Sequence, residues 1–189
     1  MKTQYYTATS LDGFIADSNN SLDWLMQLDG PGESYAEFIK DVGAIAMGSV
    51  TYDWVLDNDI LKDPKNLKSW PYEQPTWIFT TRELRKLEGA DIRFVQGDVR
   101  PIHDEMSKVA GGKNIWLAGG GELVGKFVDA GLLDELIVTI CPATLGGGAP
   151  LLPREIWKPP LVLKDLKRHG EYFVELRYEL SDKKAYIKE

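Results

Sequence analysis

The stretch Ala118–Phe127, AGGGELVGKF, combines residue types and spacing that could hold a phosphate. From Gly120 it runs G-x-x-x-x-G-K, the spacing of a triphosphate-binding loop, but Phe127 stands where that loop needs a hydroxyl for Mg²⁺. Leu123, Val124, Phe127 and Val128 recur at helical intervals, which places Gly125 and Lys126 inside a helix rather than at a phosphate. Gly119-x-Gly121 matches the first two glycines of a dinucleotide fingerprint, but Val124 replaces the third and the segment lies late in the chain. Two readings stay open. The glycines make a plain strand-to-helix turn, or they leave free N–H groups at a helix start, where the partial positive charge suits a pyrophosphate.

Other side chains offer less. Asp12, in Leu-Asp-Gly, is either a turn former or a functional carboxylate, and Asp17 reads as turn chemistry. Asp23-Trp24-Leu25 puts a carboxylate and an indole near a possible cleft, although Trp24 could equally anchor its loop. Tyr35 and Tyr52 either line a cavity or pack, and Trp70-Pro71-Tyr72 is a candidate for shaping a substrate site. Cys141 is the only cysteine, which rules out an intrachain disulfide and a cysteine zinc cluster. His103 and His169 are the only histidines, expected to be solvated on a surface helix and in a hairpin turn, so no metal site is expected.

Positioning these groups requires a scaffold, and 189 residues suit one domain spanning 1–189. A net charge of −7 argues against nucleic acid or an anionic membrane as partner. The start lacks the apolar core of a signal peptide, and three prolines with Gly146-Gly147-Gly148 break the uncharged run 136–153 as a spanning helix. A cytoplasmic location is expected.

Strand patterns fall at Thr3–Thr9, Ala44–Met47, Thr76–Thr80, Ile92–Val95, Ile115–Ala118 and Leu136–Ile140. Helix patterns fall at Ser34–Lys40, from Ser49 to about Leu56, at Ile102–Val109 and from the glycine run to about Ala130, with Gly131 as stop. Ser10–Trp24 reads as a loop, Asp57–Gln74 as a polar excursion, and Leu161–Lys167 with Glu171–Glu179 as a final antiparallel pair. Apolar strands alternating with helices predict an α/β three-layer sandwich, its central sheet mostly parallel with antiparallel C-terminal strands.

Five segments in order, Thr9-Ser10-Leu11-Asp12-Gly13-Phe14-Ile15-Ala16, Met47-Gly48-Ser49-Val50-Thr51-Tyr52, Phe79-Thr80-Thr81-Arg82, AGGGEL and Asp134-Glu135-Leu136 running on to Gly148, resemble the dihydrofolate reductase fold. More closely, the chain resembles a stand-alone form of the riboflavin-biosynthesis (RibD) C-terminal reductase domain, from Thr7 to about Tyr178. The resemblance implies an oxidoreductase passing hydride from NADPH, with NADH not excluded, to a small pterin-, pyrimidine- or carbonyl-type substrate. It implies that the backbone of Gly119, Gly120, Gly121, Glu122 and Leu123, after Ala118, holds the pyrophosphate. Gly48, Ser49 and Thr51 would open a second phosphate-facing helix, and Thr80, Thr81 and Arg82 would meet the adenosine ribose and its 2′-phosphate. Ala8 and the loop through Ile15 would face the nicotinamide. Asp12 and Tyr35 are the candidate proton donors, and Asp12, Trp24, Tyr35 and Tyr52 the candidate substrate contacts.

The chain departs from folate reductases at Ser49-Val50, where those carry Arg-Lys or Arg-His, leaving Arg82 as the main cation for a 2′-phosphate. The deaminase pattern of the riboflavin enzyme's partner domain is absent. The alternative function is a non-catalytic nucleotide-binding module. A homodimer is possible, with 136–153 contributing to its interface.

Overall fold

Strand β3 (Val42–Gly48) shows why the centre of this protein is a sheet covered on both faces. Its side chains alternate direction, and both sets are buried: Ala44 and Ala46 on one side, Ile45 and Met47 on the other. The computed structural model describes residues 1–28, 30, 32–63 and 65–187.

The remaining strands are β1 (Thr3–Thr9), β2 (Phe14–Ala16), β4 (Thr76–Phe79), β5 (Ile92–Val95), β6 (Asn114–Gly119), β7 (Glu135–Ile140), β8 (Ala149–Pro150), β9 (Val162–His169) and β10 (Phe173–Glu179). Eight of them form one sheet in the order β5-β4-β3-β6-β1-β7-β10-β9. The pairs from β5 to β7 are parallel, and β10 joins β7 and β9 antiparallel. Strands β2 and β8 form a separate two-stranded ribbon.

The α-helices among the described residues are α1 (Asp23–Met26), α2 (Gly32–Phe38), α3 (Ser49–Val55), α4 (Val99–Val109) and α5 (Gly121–Asp129). One apolar cluster joins Tyr5, Trp77, Leu117, Met106 and Phe127, so α4 and α5 cover that face. The other joins Ile45, Met47, Ile78 and Trp116 to Tyr52 and Val55 of α3. This is the expected α/β sandwich, its central sheet mostly parallel with antiparallel C-terminal strands.

Local differences have local causes. Helix α4 starts at Val99, three residues before the expected Ile102, because Asp98 caps it by accepting from the Arg100 N–H at 3.0 Å. Pro101 is tolerated in that first turn, where its missing N–H has no helical partner to lose. Helix α3 starts at the expected Ser49, with Gly48 as its N-cap, and runs into a π-turn over Leu56–Ile60. The expected loop 10–24 contains β2 and the start of α1. The segment expected at a dimer interface begins as β7, buried mid-sheet between β1 and β10, so 136–140 is closed to a partner. Edge strand β9 instead carries exposed apolar side chains, Val162, Leu163 and Leu166. Among the described residues no helix is long and apolar enough to cross a membrane.

Candidate functional site

Order β3-β6-β1 places the carboxyl ends of three parallel strands side by side, the position where open α/β sheets leave a crevice. The glycine run lies on that edge. Gly119 ends β6 at φ +126°, a conformation closed to most side chains, and the Gly119–Gly120 peptide is cis. Gly120 is the N-cap of α5, and no side chain caps the helix start. The first N–H groups of α5 thus have no side-chain acceptor at the cap. A Cβ on Gly48 would lie 3.7 Å from the Gly120 nitrogen, so the turns leaving β3 and β6 nearly touch.

Gly121 answers to packing. A Cβ there would meet the Pro150 carbonyl oxygen at 2.4 Å and that of Leu151 at 2.6 Å. Strand β8 therefore lies directly on the start of α5. Farther along, Gly125 makes room for the Arg154 guanidinium, whose carbon would stand 2.6 Å from a Cβ. Arg154 pairs with Asp129 at 2.8 Å and Glu122 at 3.1 Å, strapping the chain after β8 to this helix. Phe127 is fully buried and Lys126 exposed, which removes the triphosphate-loop reading.

Three recesses run along this edge. A central one of about 290 Å³ is lined by Ile15, Thr51, Trp54, Ala118, Gly120 and Gly121, with Glu122 at its rim. It shares Thr7 and Ala118 with a second, about 620 Å³, which Ala8, Tyr6, Leu25, Tyr35, Trp116 and Thr139 line. No charged side chain lines this aromatic recess among the described residues. On the opposite side, the central recess shares Asn20, Val50 and Trp54 with a third, about 440 Å³, holding Ser49, Asp53, Asp57 and Arg82.

The expected residues divide accordingly. Ile15, Thr51, Ala118, Gly120, Gly121 and Glu122 gather at the central recess, and Gly48 and Gly119 form the turns behind it. Leu123 is buried, so its backbone alone could serve a ligand. Ser49 and Arg82 reach the third recess. Thr80 shapes the turn that carries Arg82, its hydroxyl accepting from the Arg82 N–H at 2.9 Å, while Thr81 is exposed beside it. Ala8 and Tyr35 line the aromatic recess, where burial pushes the Tyr35 pKa up and keeps its hydroxyl protonated.

Three candidates lie elsewhere or do other work. Tyr52 is fully buried against Trp70 and Phe94 and donates to the Arg85 carbonyl at 2.6 Å, so it is a core side chain. Trp24 packs with Cys141 and Phe173, and it is the adjacent Leu25 that lines the recess. Asp12 accepts from the N–H groups of Leu145 and Gly146 at 3.0 and 2.7 Å and from the Ser10 hydroxyl at 2.6 Å. The Ser10 hydroxyl, then the Gly146 N–H, lower its pKa to about 2, so it is ionised at neutral pH and serves as a tie between loops.

Trp70 and Tyr72 stand behind the recess, Tyr72 edge-on to Trp116 at 5.5 Å. His103 is half-buried, bonded to the Thr3 hydroxyl at 2.8 Å, and His169 lies 3.7 Å from Glu175, so neither is simply solvated. Sequence reasoning missed Trp54, Asp53, Trp116 and Arg154. The i to i+3 spacing of Thr51 and Trp54 was the available signal for the first. The pairing of Asp53 with Arg82 and the seat of Arg154 on Gly125 join distant segments and leave no local trace.

Known proteins resemble this chain in sequence and in fold. YwjB of Bacillus subtilis (strain 168), an uncharacterised protein, is 34% identical over 178 residues, covering 94% of this chain and 97% of its own. YyaP of the same organism is 28% identical over 148 residues, 76% of each chain. Among solved structures, a Shewanella sp. PV-4 protein named for riboflavin biosynthesis superposes with TM-score 0.77 at 26% identity, covering 95% of this chain and 98% of that one. Dihydrofolate reductase from Enterococcus faecalis, complexed with NADP(H), gives 0.61 at 14% identity, over 96% and 97%. The Thermotoga maritima deaminase/reductase that acts on phosphoribosylaminopyrimidines gives 0.67 at 14%, and this chain covers 94% of itself and 56% of that protein. The family model of the RibD C-terminal domain matches residues 55–174, more than half of the chain, and with the fold and the glycine-built edge it makes this protein a member of the RibD C-terminal domain family.

Proposed function

We propose that this protein is an NAD(P)H-dependent reductase acting on a small, planar pterin-, pyrimidine- or carbonyl-type molecule. The observation that carries the proposal is the unbroken line of three recesses across the carboxyl ends of β1, β6 and β3, a shape matched to an extended dinucleotide beside an acceptor. The NADP(H) complex of the E. faecalis neighbour supports the same cofactor class.

In this reading the α5 N–H groups and helix N-terminus bind the pyrophosphate, and the absent Cβ of Gly120 leaves it room. When bound, the reduced nicotinamide supplies the hydride. Ala8 and Ile15 flank the junction of the central and aromatic recesses, Trp116 and Tyr6 exclude water from the acceptor, and Tyr35 holds a proton on Oη. Asp12 has no part in proton delivery near pH 7, because its carboxyl is ionised and committed to the loop.

Trp54 and Trp116 line the recesses, so energy transfer from tryptophan to reduced nicotinamide reports binding directly. Saturable transfer with NADPH or NADH is expected, and none at millimolar cofactor would end the proposal. Gly120→Val should abolish it with the fold intact. Its Cβ would stand 4.0 Å from Ile15 Cδ1, which is tolerated, but the added methyls would enter the groove. Lys126→Ala should leave binding unchanged.

A further inference from the structure

Arg82, the cation expected to recognise a 2′-phosphate, is already engaged. Its Nη2 lies 2.6 Å from Asp53 Oδ2, with the two side chains 54% and 38% exposed. Asp57 lines the same recess, and Arg82 is the only basic side chain among its described lining residues. One guanidinium thus faces two carboxylates at the outer end of the groove, while Ser49 and Val50 bring no charge.

We propose that Asp53 is a specificity-determining residue that, by holding Arg82 and offering a carboxylate to the ribose, makes the groove accept NADH about as well as NADPH. The inference rests on the dinucleotide reading above. A 2′-phosphate entering this recess meets the attraction of Arg82 and, within a few ångströms, the repulsion of Asp53. To pair with Arg82 it must share the guanidinium with Asp53, which then stands beside it as a like charge. A ribose 2′-hydroxyl has neither problem. It donates to the carboxylate, as acidic residues receive it in NAD sites, and the ion pair stays intact.

Wild-type protein, Asp53→Asn and Arg82→Gln are titrated with NADH and NADPH, reading tryptophan-to-nicotinamide transfer at low and at moderate salt. For the wild type the two dissociation constants should fall within about ten-fold of each other, the range open to a compensated, partly exposed pair. Asp53→Asn keeps the side-chain shape and frees Arg82. It should tighten NADPH by roughly ten-fold or more relative to NADH, most at low salt, as expected when a unit charge is removed from beside a phosphate. Arg82→Gln should weaken NADPH and leave NADH nearly unchanged. A wild type preferring NADPH by more than about ten-fold, or an Asp53→Asn protein with an unchanged ratio, overturns the inference while the reductase reading stands. Failure of all three proteins to bind either cofactor overturns both.

Discussion

Asp12 and Tyr35 look alike as candidate acids in a list of residue types, and their surroundings separate them. The Asp12 carboxyl is held near 2 by donors, and Tyr35 is held above its ordinary 10 by burial. Tyr35→Phe should therefore lower kcat by roughly 10²-fold with cofactor affinity unchanged, the loss typical of a positioned proton donor. An unchanged kcat would assign the proton to water. For Asp12 the sign runs the other way. Its folded pKa lies below the ordinary value of 3.8, so its contribution to the loop is present above about pH 4 and lost as pH falls through about 2. Asp12→Asn at pH 7 should reproduce that loosened state as faster amide exchange at Leu145 and Gly146. Exchange as slow as in the parent would remove Asp12 from this role. The sequence marked Asp12 as a turn residue or a functional one, and its tie to residues 145 and 146 could not be read because nothing local records it.

At the scale of elements, the parallel strands were legible because burial on both faces writes them as apolar runs. The glycine run was legible as a strand-to-helix turn, yet the reasons for its glycines differ by position. Gly119 answers to backbone conformation, Gly120 to the open groove and Gly121 to the β8 carbonyls. Gly121→Ala forces backbone against backbone and should cost about 1–3 kcal/mol of stability, read from denaturant unfolding, because neither β8 nor α5 can yield without breaking its own contacts. A change within a few tenths of a kcal/mol would mean that β8 moves freely. The β2–β8 ribbon itself was hidden, since three residues pair with two and no hydrophobic period builds up over so short a span.

At the scale of the whole molecule, His103 on α4 bonds Thr3 of β1 and adds a polar tie to the apolar packing of helix on sheet. Burial lowers its pKa below the ordinary 6.5, against the opposing pull of Asp104 and Asp134 and with smaller help from Lys183 and Arg100. The neutral ring is the folded form, so stability is full above about pH 6.5 and declines as pH falls from there toward the lower folded value. A melting temperature that drops between pH 7.5 and pH 5, with a smaller drop in His103→Gln, is the expected result. Equal slopes in the two proteins would place the acid sensitivity elsewhere. The overall architecture was readable from the order of strand and helix patterns, because topology rules leave few ways to close them. The three-recess groove was not, since its shape arises where segments far apart in the chain converge.

The bond from Leu145 to Asp12 spans 133 residues. During synthesis, at about 5–20 residues per second, the strands β1, β3, β4, β5 and β6 emerge well before the ribbon that roofs their carboxyl edge. A nascent chain that has not yet displayed β8 lacks the wall of the central recess that Ala149 and Pro150 form, however much of its sheet has formed. On the proposed dinucleotide reading, a ligand at that recess stabilises the chain only once residues 149 and 150 are in place.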